Sequence, residues 1–215
     1  AFAGLLQAET NDVELDYFGL NHLGWIRSIH FQGKDHIREF IDMLVKSGGI
    51  PQFPFDPRLV EALGMFPNEY LYYYYYSRQA VANILKTGIS RGEQILGDNQ
   101  LLFNKISYLI GKGDYSEIET TYLDYLGKRG STYMQNETGG GEATGNPALL
   151  EQIDQASKEG YAGVALDLIE SLLGVGDHHM ILNIPNRRSI LAMGKDDIVE
   201  IPAIVTKDKI EPVNV

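Results

Sequence analysis

The sequence predicts an α+β fold in which helices pack on an antiparallel or mixed sheet. Apolar residues at helical spacing fill the middle of the chain, whereas β-forming runs lie near both ends. Strands and helices do not alternate as they do around a parallel sheet. The chain has 215 residues, of which 44% are hydrophobic, so we expect one sizeable core and a single domain over residues 1–215.

Two strands are predicted near the start of the chain. Residues 13–21 are rich in β-formers, and residues 25–31 alternate between apolar and polar side chains. His22 lies at the junction of the two strands, between Gly19 and Gly24. Loops at strand ends often carry functional residues, and glycine there permits a close approach of the backbone.

Helices are predicted for most of the remaining chain. Helical spacing, with turn and capping residues at the ends, indicates helices at residues 35–46, from Asp56-Pro57, at 69–86, 91–110 and 115–126, and from Asn146-Pro147 onward. Residues 130–147 contain Gly139-Gly140-Gly141 and few large apolar residues, so we expect a flexible glycine-rich loop there. Residues 180–184 and 198–205 are predicted as late strands.

Composition excludes several classes of partner. A net charge of -11 and a pI near 4.8 give no broad basic surface, so we expect neither nucleic acid nor a membrane as a partner. No apolar run approaches the length of a membrane span. The chain has no cysteine, which excludes thiolate metal ligands within it and is compatible with the cytoplasmic location that we expect.

The glycines and most histidines carry no recognisable site. No Gly-x-Gly-x-x-Gly motif follows a predicted strand, so the chain contains no dinucleotide-binding fingerprint. Adjacent His178 and His179 would face opposite sides of a strand, which favours a turn or surface pair, and His30 and His36 lack metal-ligand spacing. His22 stands alone, and a lone histidine is more often structural than a metal ligand.

A run of tyrosines is the most unusual segment. Six of the seven residues at positions 70–76 are tyrosine, and a helix cannot direct all of them to one side. We expect some of them in the core and others at a cleft or a neighbouring surface. A tyrosine acts as a general base only when a nearby cation or metal lowers its pKa, and composition does not show which of these tyrosines would do so.

Several motifs together resemble family 4 glycoside hydrolases in their 6-phospho-β-glucosidase form. The segment Leu15-Asp16-Tyr17-Phe18-Gly19-Leu20-Asn21-His22-Leu23-Gly24-Trp25 resembles the metal-site signature of that family. Further resemblances follow in the same order along nearly the whole chain, at Pro67-Asn68-Glu69-Tyr70-Leu71-Tyr72-Tyr73-Tyr74, at Ser90-Arg91-Gly92-Glu93-Gln94-Ile95-Leu96, at Lys128-Arg129-Gly130 and at residues 198–205. The resemblance implies the α+β C-terminal domain that this family shares with lactate and malate dehydrogenases.

The resemblance also implies a chemistry that does not use paired carboxylates. In the family, NAD oxidises C3 of the sugar, and a divalent metal such as Mn²⁺ polarises the resulting ketone. A base then removes the acidified C2 proton, the glycosidic bond breaks by elimination, water adds, and NADH returns its hydride. By position, His22 matches the metal ligand, Asn21 a contact to the substrate or metal site, Tyr70 the base and Arg91 a substrate-binding residue.

The chain departs from the family pattern in three places. The second metal ligand of the family is a cysteine in an upstream Gly-Leu-Cys-Asn-like segment, and this chain contains neither that segment nor an NAD-binding Rossmann domain. Tyr72 stands where relatives often have a basic residue, and residues 135–145 resemble an insertion. We therefore expect a fragment that begins just after the missing segments and is inactive in isolation.

The predicted function is that of an NAD- and Mn²⁺-dependent enzyme, in its full-length form, that cleaves a phosphorylated disaccharide or β-glucoside. We expect a homodimer or homotetramer. Two alternatives remain open from the sequence. The first is another specificity of the family, towards 6-phospho-α-glucosides, α-galactosides or α-glucuronides, and the second is a non-catalytic module for sugar binding or oligomerisation.

Overall fold

The structure, a computed structural model, describes residues 2–8, 12–50, 53–139 and 160–213. The chain divides into two compact units. The first consists of Ala1–Tyr72 and Ala143–Val215, and the second consists of Tyr73–Glu142. All described strands lie in the first unit, and they are antiparallel, which confirms the predicted α+β class.

The sheet of the first unit has seven strands: β1 (Val13–Leu20), β2 (Leu23–Phe31), β3 (Lys34–Asp35), β4 (Phe66–Pro67), β5 (His178–Pro185), β6 (Ile198–Val205) and β7 (Ile210–Pro212). Their order is β3-β2-β1-β6-β5, with β4 paired to β2 and β7 paired to β6. Strand β1 therefore lies beside β6, although β1 ends at Leu20 and β6 begins only at Ile198. This arrangement brings the start and the end of the sequence to one place.

The described helices are α1 (Phe2–Leu6), α2 (Ile37–Ser47), α3 (Pro57–Leu63), α4 (Tyr72–Tyr75), α5 (Ser77–Thr87), α6 (Arg91–Lys112), α7 (Ser116–Ser131), α8 (Gln135–Thr138) and α9 (Gly160–Leu173), with a 3₁₀ turn at Glu69–Leu71. None of them is long and apolar enough to cross a membrane.

The core of the first unit follows from two periodicities. In β6, every second residue is fully buried, since Val199, Ile201, Ala203 and Val205 each have 0% exposure. In α2, the buried residues Ile37, Phe40, Ile41 and Leu44 recur at helical spacing and face β2 and α3. Gly48 ends α2 with a positive φ of 72°, which glycine adopts without strain.

The second unit is helical in its described part. A capping box starts α6, because the Ser90 side chain accepts from Glu93 N–H while the Glu93 carboxylate accepts from Ser90 N–H. This helix packs on α7, and α5 packs on α8. The Asn83 amide donates to the Glu137 carbonyl over 2.8 Å, which ties α5 to α8.

Two predictions of local structure were wrong, and one was narrowed to a single alternative. The predicted helix at residues 69–86 is interrupted, because Tyr76 leaves helical geometry with a φ of −121° and ψ of 30° between α4 and α5. The predicted loop at 130–147 begins as helix, since α7 continues to Ser131 and α8 follows after Met134, whose φ is positive. Of the two alternatives for His178 and His179, the structure shows no turn but a pair at the start of β5, where His179 is exposed and His178 is half-buried, and pairing with Ile204 and Val205 of β6 keeps them extended.

Other differences concern the ends of elements. Strands β3, β4 and β7 were not predicted, because two or three residues are too few to show alternation. The remainder of the predicted loop and the start of the helix predicted from Asn146-Pro147 lie outside the described residues. Helix α9 agrees with the later part of that predicted helix.

Candidate functional site

The site begins at the tight turn between β1 and β2. Gly19 pairs with Gly24, and Leu20 pairs with Leu23, which leaves Asn21 and His22 as the two turn residues. His22 has a φ of 60°, in the left-handed region that two-residue hairpin turns often require. The turn therefore places an amide and an imidazole next to each other at the end of the sheet.

Two glycines permit this turn. A Cβ atom on Gly24 would lie 2.5 Å from the Tyr17 hydroxyl and 2.7 Å from the Phe18 carbonyl oxygen. A Cβ atom on Gly19 would lie 2.3 Å from Gly24 Cα. These separations are far below van der Waals contact, and two of the three involve backbone atoms. Glycine is therefore required at both positions by close approach.

A carboxylate from the end of the chain holds the turn. Glu200 lies on β6 opposite Gly19 of β1. Its Oε2 atom accepts from the His22 main-chain N–H over 2.8 Å and from the Tyr17 hydroxyl over 2.7 Å. Its Oε1 atom lies 4.0 Å from His22 Nδ1. The Glu200 side chain is 12% exposed and that of His22 is 42% exposed, so the carboxylate is covered while the imidazole reaches the surface.

The Tyr17 phenol stays a donor to this carboxylate. Burial raises the pKa of Tyr17 well above its ordinary value, and the hydrogen bond to Glu200 and the negative charge of Glu200 raise it further. The phenol therefore remains protonated over the physiological range. A protonated Tyr17 gives Glu200 a permanent hydrogen-bond partner within the half-buried site.

Asn21 has a partner on β5. The Asn183 side-chain amide donates to Asn21 Oδ1 over 3.2 Å. Asn183 pairs directly with Glu200 across β5 and β6, so the two turn residues are contacted by two neighbouring residues of the late strands. With Oδ1 engaged, the amide nitrogen of Asn21 is oriented as a donor for another group.

Two hydrogen bonds of Asn68 hold Tyr70 beside His22. Asn68 N–H donates to the Gly24 carbonyl over 2.9 Å, and the Asn68 side chain caps the 3₁₀ turn by accepting from Tyr70 N–H over 3.1 Å. The Tyr70 ring stacks on the His22 ring with centroids 5.5 Å apart and planes inclined by 26°. Tyr70 is 38% exposed, whereas its neighbour Tyr72 is 3% exposed. The structure therefore brings Asn21, His22 and Tyr70 together.

Arg91 lies in the second unit, at the start of α6. Its Nη1 atom donates to the Thr132 hydroxyl over 2.7 Å and to Gln94 Oε1 over 3.1 Å, and its Nη2 atom donates to the Arg129 carbonyl over 2.6 Å. The guanidinium is thereby fixed between α6 and the end of α7. Its predicted contact with a substrate stays a prediction.

A second histidine has carboxylate neighbours. Asp167, Glu170 and His178 bring possible ligand atoms within 4.8 Å of one another, and His178 Nδ1 lies 2.8 Å from Ser171 Oγ. Among the described residues, His22 belongs to no such group of three. The assignment of His22 as a metal ligand therefore stays a prediction.

Sequence reasoning named Asn21, His22 and Tyr70 but missed Glu200 and Asn183. A signal for Glu200 was present, because it is a charged residue within the otherwise apolar strand Ile198–Val205. The same signal marked Asn183, a polar residue within the otherwise apolar run at residues 180–184. Its role follows only from the pairing of β5 with β6.

The profile of the family 4 glycosyl hydrolase C-terminal domain matches residues 17–215. The 6-phospho-beta-glucosidase of Escherichia coli (strain K12) is 31% identical over 86 residues, which cover 36% of this chain and 19% of that protein.

Two solved structures have a similar fold. The 6-phospho-beta glucosidase of Thermotoga maritima, solved with manganese, NAD⁺ and glucose-6-phosphate, has a TM-score of 0.60 at 19% identity, over 100% of this chain and 40% of that chain. A 6-phospho-alpha-glucosidase from gut microorganisms, in complex with NAD and glucose-6-phosphate, has a TM-score of 0.60 at 20% identity, over 99% of this chain and 44% of that chain. The chain thus spans less than half the length of each relative.

Proposed function

The chain belongs to the family 4 glycosyl hydrolases, whose C-terminal domain it contains, and on that premise we propose that it forms the substrate and metal side of an NAD- and divalent-metal-dependent 6-phospho-β-glucosidase. The stacking of Tyr70 on His22 beside Asn21 carries this proposal, because it joins the predicted base, ligand and substrate contact in one place. The name of the Escherichia coli relative supports the substrate class.

The residues of this chain fit one side of a metal site. The His22 imidazole is partly exposed and has a carboxylate beside its Nδ1 atom, an arrangement typical of histidines that bind a metal through Nε2. The chain has no cysteine and no dinucleotide-binding fingerprint, so the other metal ligands and the NAD site would be supplied by residues outside this chain. The Thermotoga maritima structure, solved with manganese and NAD⁺, supports these two cofactors.

When bound, NAD supplies a hydride acceptor and the metal supplies a Lewis acid that acidifies the C2 proton of the oxidised sugar. Tyr70 is the residue that accepts this proton, on its phenolate oxygen. A cation held by His22 would favour the phenolate of Tyr70, whose ring stacks on the His22 ring. The Asn68 cap fixes the backbone from which Tyr70 acts.

The substrate contacts come from neutral and cationic donors. The Asn21 amide nitrogen, oriented by Asn183, would donate to a sugar hydroxyl at the end of the sheet. Arg91 would bind the 6-phosphate with guanidinium N–H groups that its three local hydrogen bonds leave in a fixed plane. The glucose-6-phosphate in the Thermotoga maritima structure supports a phosphorylated sugar.

The test uses the full-length protein and a chromogenic 6-phospho-β-glucoside. We expect hydrolysis only with NAD and Mn²⁺ together, and we expect Tyr70→Phe to lower kcat by about 10²-fold or more, because proton abstraction loses its base. KM and Mn²⁺ affinity should stay near those of the wild type. Hydrolysis in D₂O should also place deuterium at C2 of the product, and Tyr70→Phe should slow its appearance.

The matched control for this substitution is Tyr74→Phe. Tyr74 lies in the same tyrosine run, is 74% exposed and stacks edge-on with Tyr75, away from any assigned role. Its removal should leave kcat unchanged. Normal kcat in Tyr70→Phe would contradict the assignment of the base, and activity without NAD or Mn²⁺ would contradict the proposed function.

The likeness to a 6-phospho-alpha-glucosidase favours a second candidate within the same family. A panel of 6-phospho-α-glucosides, 6-phospho-β-glucosides, α-galactosides and α-glucuronides separates these specificities by kcat/KM. Binding of glucose-6-phosphate without turnover of any of them would support a non-catalytic sugar-binding module.

A further inference from the structure

We propose that Glu200 is a positioning residue for metal binding, which holds the His22 turn and orients the His22 imidazole so that Nε2 is free to bind the metal. The inference rests on the proposed function in one respect, because it takes His22 as the ligand. It adds a residue from β6 that touches neither substrate nor metal and acts through His22.

The backbone of His22 is held in an unusual conformation. His22 adopts a φ of 60°, which an L-residue without glycine's freedom rarely holds unless neighbouring groups enforce it. The His22 N–H donates to Glu200 Oε2 over 2.8 Å. An ionised acceptor gives a stronger hydrogen bond than a neutral one, so Glu200 is well suited to keep the turn in this conformation.

The imidazole ring of His22 faces the same carboxylate. Glu200 Oε1 lies 4.0 Å from His22 Nδ1, so its negative charge faces that edge of the ring. A neutral imidazole carries one proton, and a carboxylate beside Nδ1 favours the tautomer with the proton on Nδ1. The lone pair is then on Nε2. Outer carboxylates act in this way on many metal-binding histidines.

A carboxylate at this position of β6 loses most of its contact with water. Glu200 lies between Val199 and Ile201, which are both fully buried, and its own side chain is 12% exposed. Removing a charged group from water is unfavourable unless hydrogen bonds compensate. The Tyr17 hydroxyl and the His22 N–H provide two such bonds to one oxygen. An apolar residue at this position would be enough for packing of the sheet. We therefore attribute the carboxylate to its hydrogen bond with the His22 N–H and its charge beside the His22 ring.

The experiment measures Mn²⁺ binding and the His22 tautomer in the full-length protein. Glu200→Gln keeps the size of the side chain and one oxygen acceptor but removes the charge. We expect its Mn²⁺ Kd, measured by electron paramagnetic resonance of free Mn²⁺, to rise by about tenfold or more. The control is Glu211→Gln, the same substitution on β7 of the same sheet, where Glu211 pairs with Lys209 at the surface. It should bind Mn²⁺ like the wild type.

Nuclear magnetic resonance of ¹⁵N-histidine reads the tautomer directly in the metal-free protein, above the pH at which imidazole loses its second proton. The His22 signal is assigned by its loss in His22→Gln. We expect the proton on Nδ1 in the wild type and a shift toward Nε2 in Glu200→Gln. A wild-type His22 protonated on Nε2 would overturn the inference even if Glu200→Gln failed to fold.

The failure of this inference and that of the proposed function are distinguishable. If the wild type binds Mn²⁺, His22→Gln does not, and folded Glu200→Gln binds as tightly as the wild type, the inference is wrong and the ligand assignment stands. If His22→Gln binds Mn²⁺ as tightly as the wild type, the ligand assignment itself fails, and with it the premise of the inference.

Discussion

Hydrogen bonds hold both the His22 turn, formed by Asn21 and His22, and the Arg91 cluster, formed by Arg91 with Gln94, Arg129 and Thr132. The bonds of the His22 turn join residues that are much farther apart in the sequence. His22 and Asn21 are held by Glu200 and Asn183, which are 178 and 162 residues away. The contacts of Arg91 with Thr132 and Arg129 span 41 and 38 residues, within two consecutive helices. The turn therefore depends on the pairing of the first strands with the last ones, whereas the Arg91 cluster needs only α6 to pack on α7.

The largest loss of stability should come from a substitution that prevents the close approach of the two backbone segments at the His22 turn. Gly24→Ala places a Cβ atom 2.7 Å from the Phe18 carbonyl oxygen and 2.5 Å from the Tyr17 hydroxyl. The backbone cannot yield cheaply there, so we expect a loss of about 3 kcal/mol in the free energy of unfolding. Denaturant unfolding measures this loss, and hydrogen exchange should show it in β1 and β2.

The control for Gly24→Ala is a glycine with open space around it. Gly97 lies within α6, and a Cβ atom there meets nothing within 4 Å. Gly97→Ala should raise the free energy of unfolding by up to about 1 kcal/mol, because alanine is the better helix former. If both variants change stability alike, close approach is not what requires glycine at position 24.

An intermediate effect is expected from breaking the cluster in the second unit. Arg91→Ala removes the donors to Thr132, Gln94 and the Arg129 carbonyl. We expect the free energy of unfolding to fall by about 2 kcal/mol. Hydrogen bonds to charged groups contribute about 1.5–3 kcal/mol each, and relaxation of the remaining partners offsets part of their sum. Hydrogen exchange should rise at the ends of α6 and α7, while Mn²⁺ affinity stays unchanged.

Arg78→Ala is the matched control for that substitution. Arg78 is an exposed arginine near the start of α5, in the same unit. Its removal should change stability by less than about 0.5 kcal/mol. Faster exchange confined to β1 and β2 in Arg91→Ala would show that the two regions are not independently held.

The smallest expected effect is a pH dependence of the free energy of unfolding, which arises from Tyr17 beside the His22 turn. The pKa of Tyr17 is raised in the folded protein above the ordinary value of 10.0, so the unfolded chain loses this proton at lower pH than the folded chain. The stabilisation is fully present below about pH 10 and falls as the pH rises above it, by up to about 1.4 kcal/mol per pH unit.

Urea unfolding of the wild type and of Tyr17→Phe at about pH 8 and about pH 11 measures this contribution. Other tyrosines titrate in both proteins, so the difference between the two slopes isolates Tyr17. The wild type should lose more stability than Tyr17→Phe between these pH values, by about 1 kcal/mol. Parallel losses in the two proteins would show that Tyr17 is no better shielded than an exposed tyrosine.

Local pattern predicted much of the fold. The strand at residues 198–205 was predicted with its observed ends, because it is a run of apolar and β-branched residues that turn residues border. The helix from Arg91 was predicted from its apolar stripe and extends two residues beyond the predicted end, to Lys112 before Gly113. The break at Tyr76 and the short strands were missed, because neither a single backbone deviation nor a two-residue strand leaves a periodic signal.

The site was also predicted in part, because some of its residues belong to local sequence motifs. Asn21, His22 and Tyr70 belong to motifs that resemble a known family, and the structure joins them through the Asn68 cap and the stacked rings. Arg91 was also named, but the groups that hold it come from a neighbouring helix that no spacing in the sequence identifies. Glu200 and Asn183 were missed as partners of the turn.

By itself, the sequence determined the fold class, the main strands and helices, the glycines of the tight turn and the identity of its two polar residues, because each depends on interactions within a few positions along the chain. Only the tertiary structure decided what holds that turn. Glu200 and Asn183 reach His22 and Asn21 because β6 pairs with β1 and with β5. That pairing joins strands far apart in the sequence and depends on the burial of the whole sheet. A local sequence pattern therefore does not predict it.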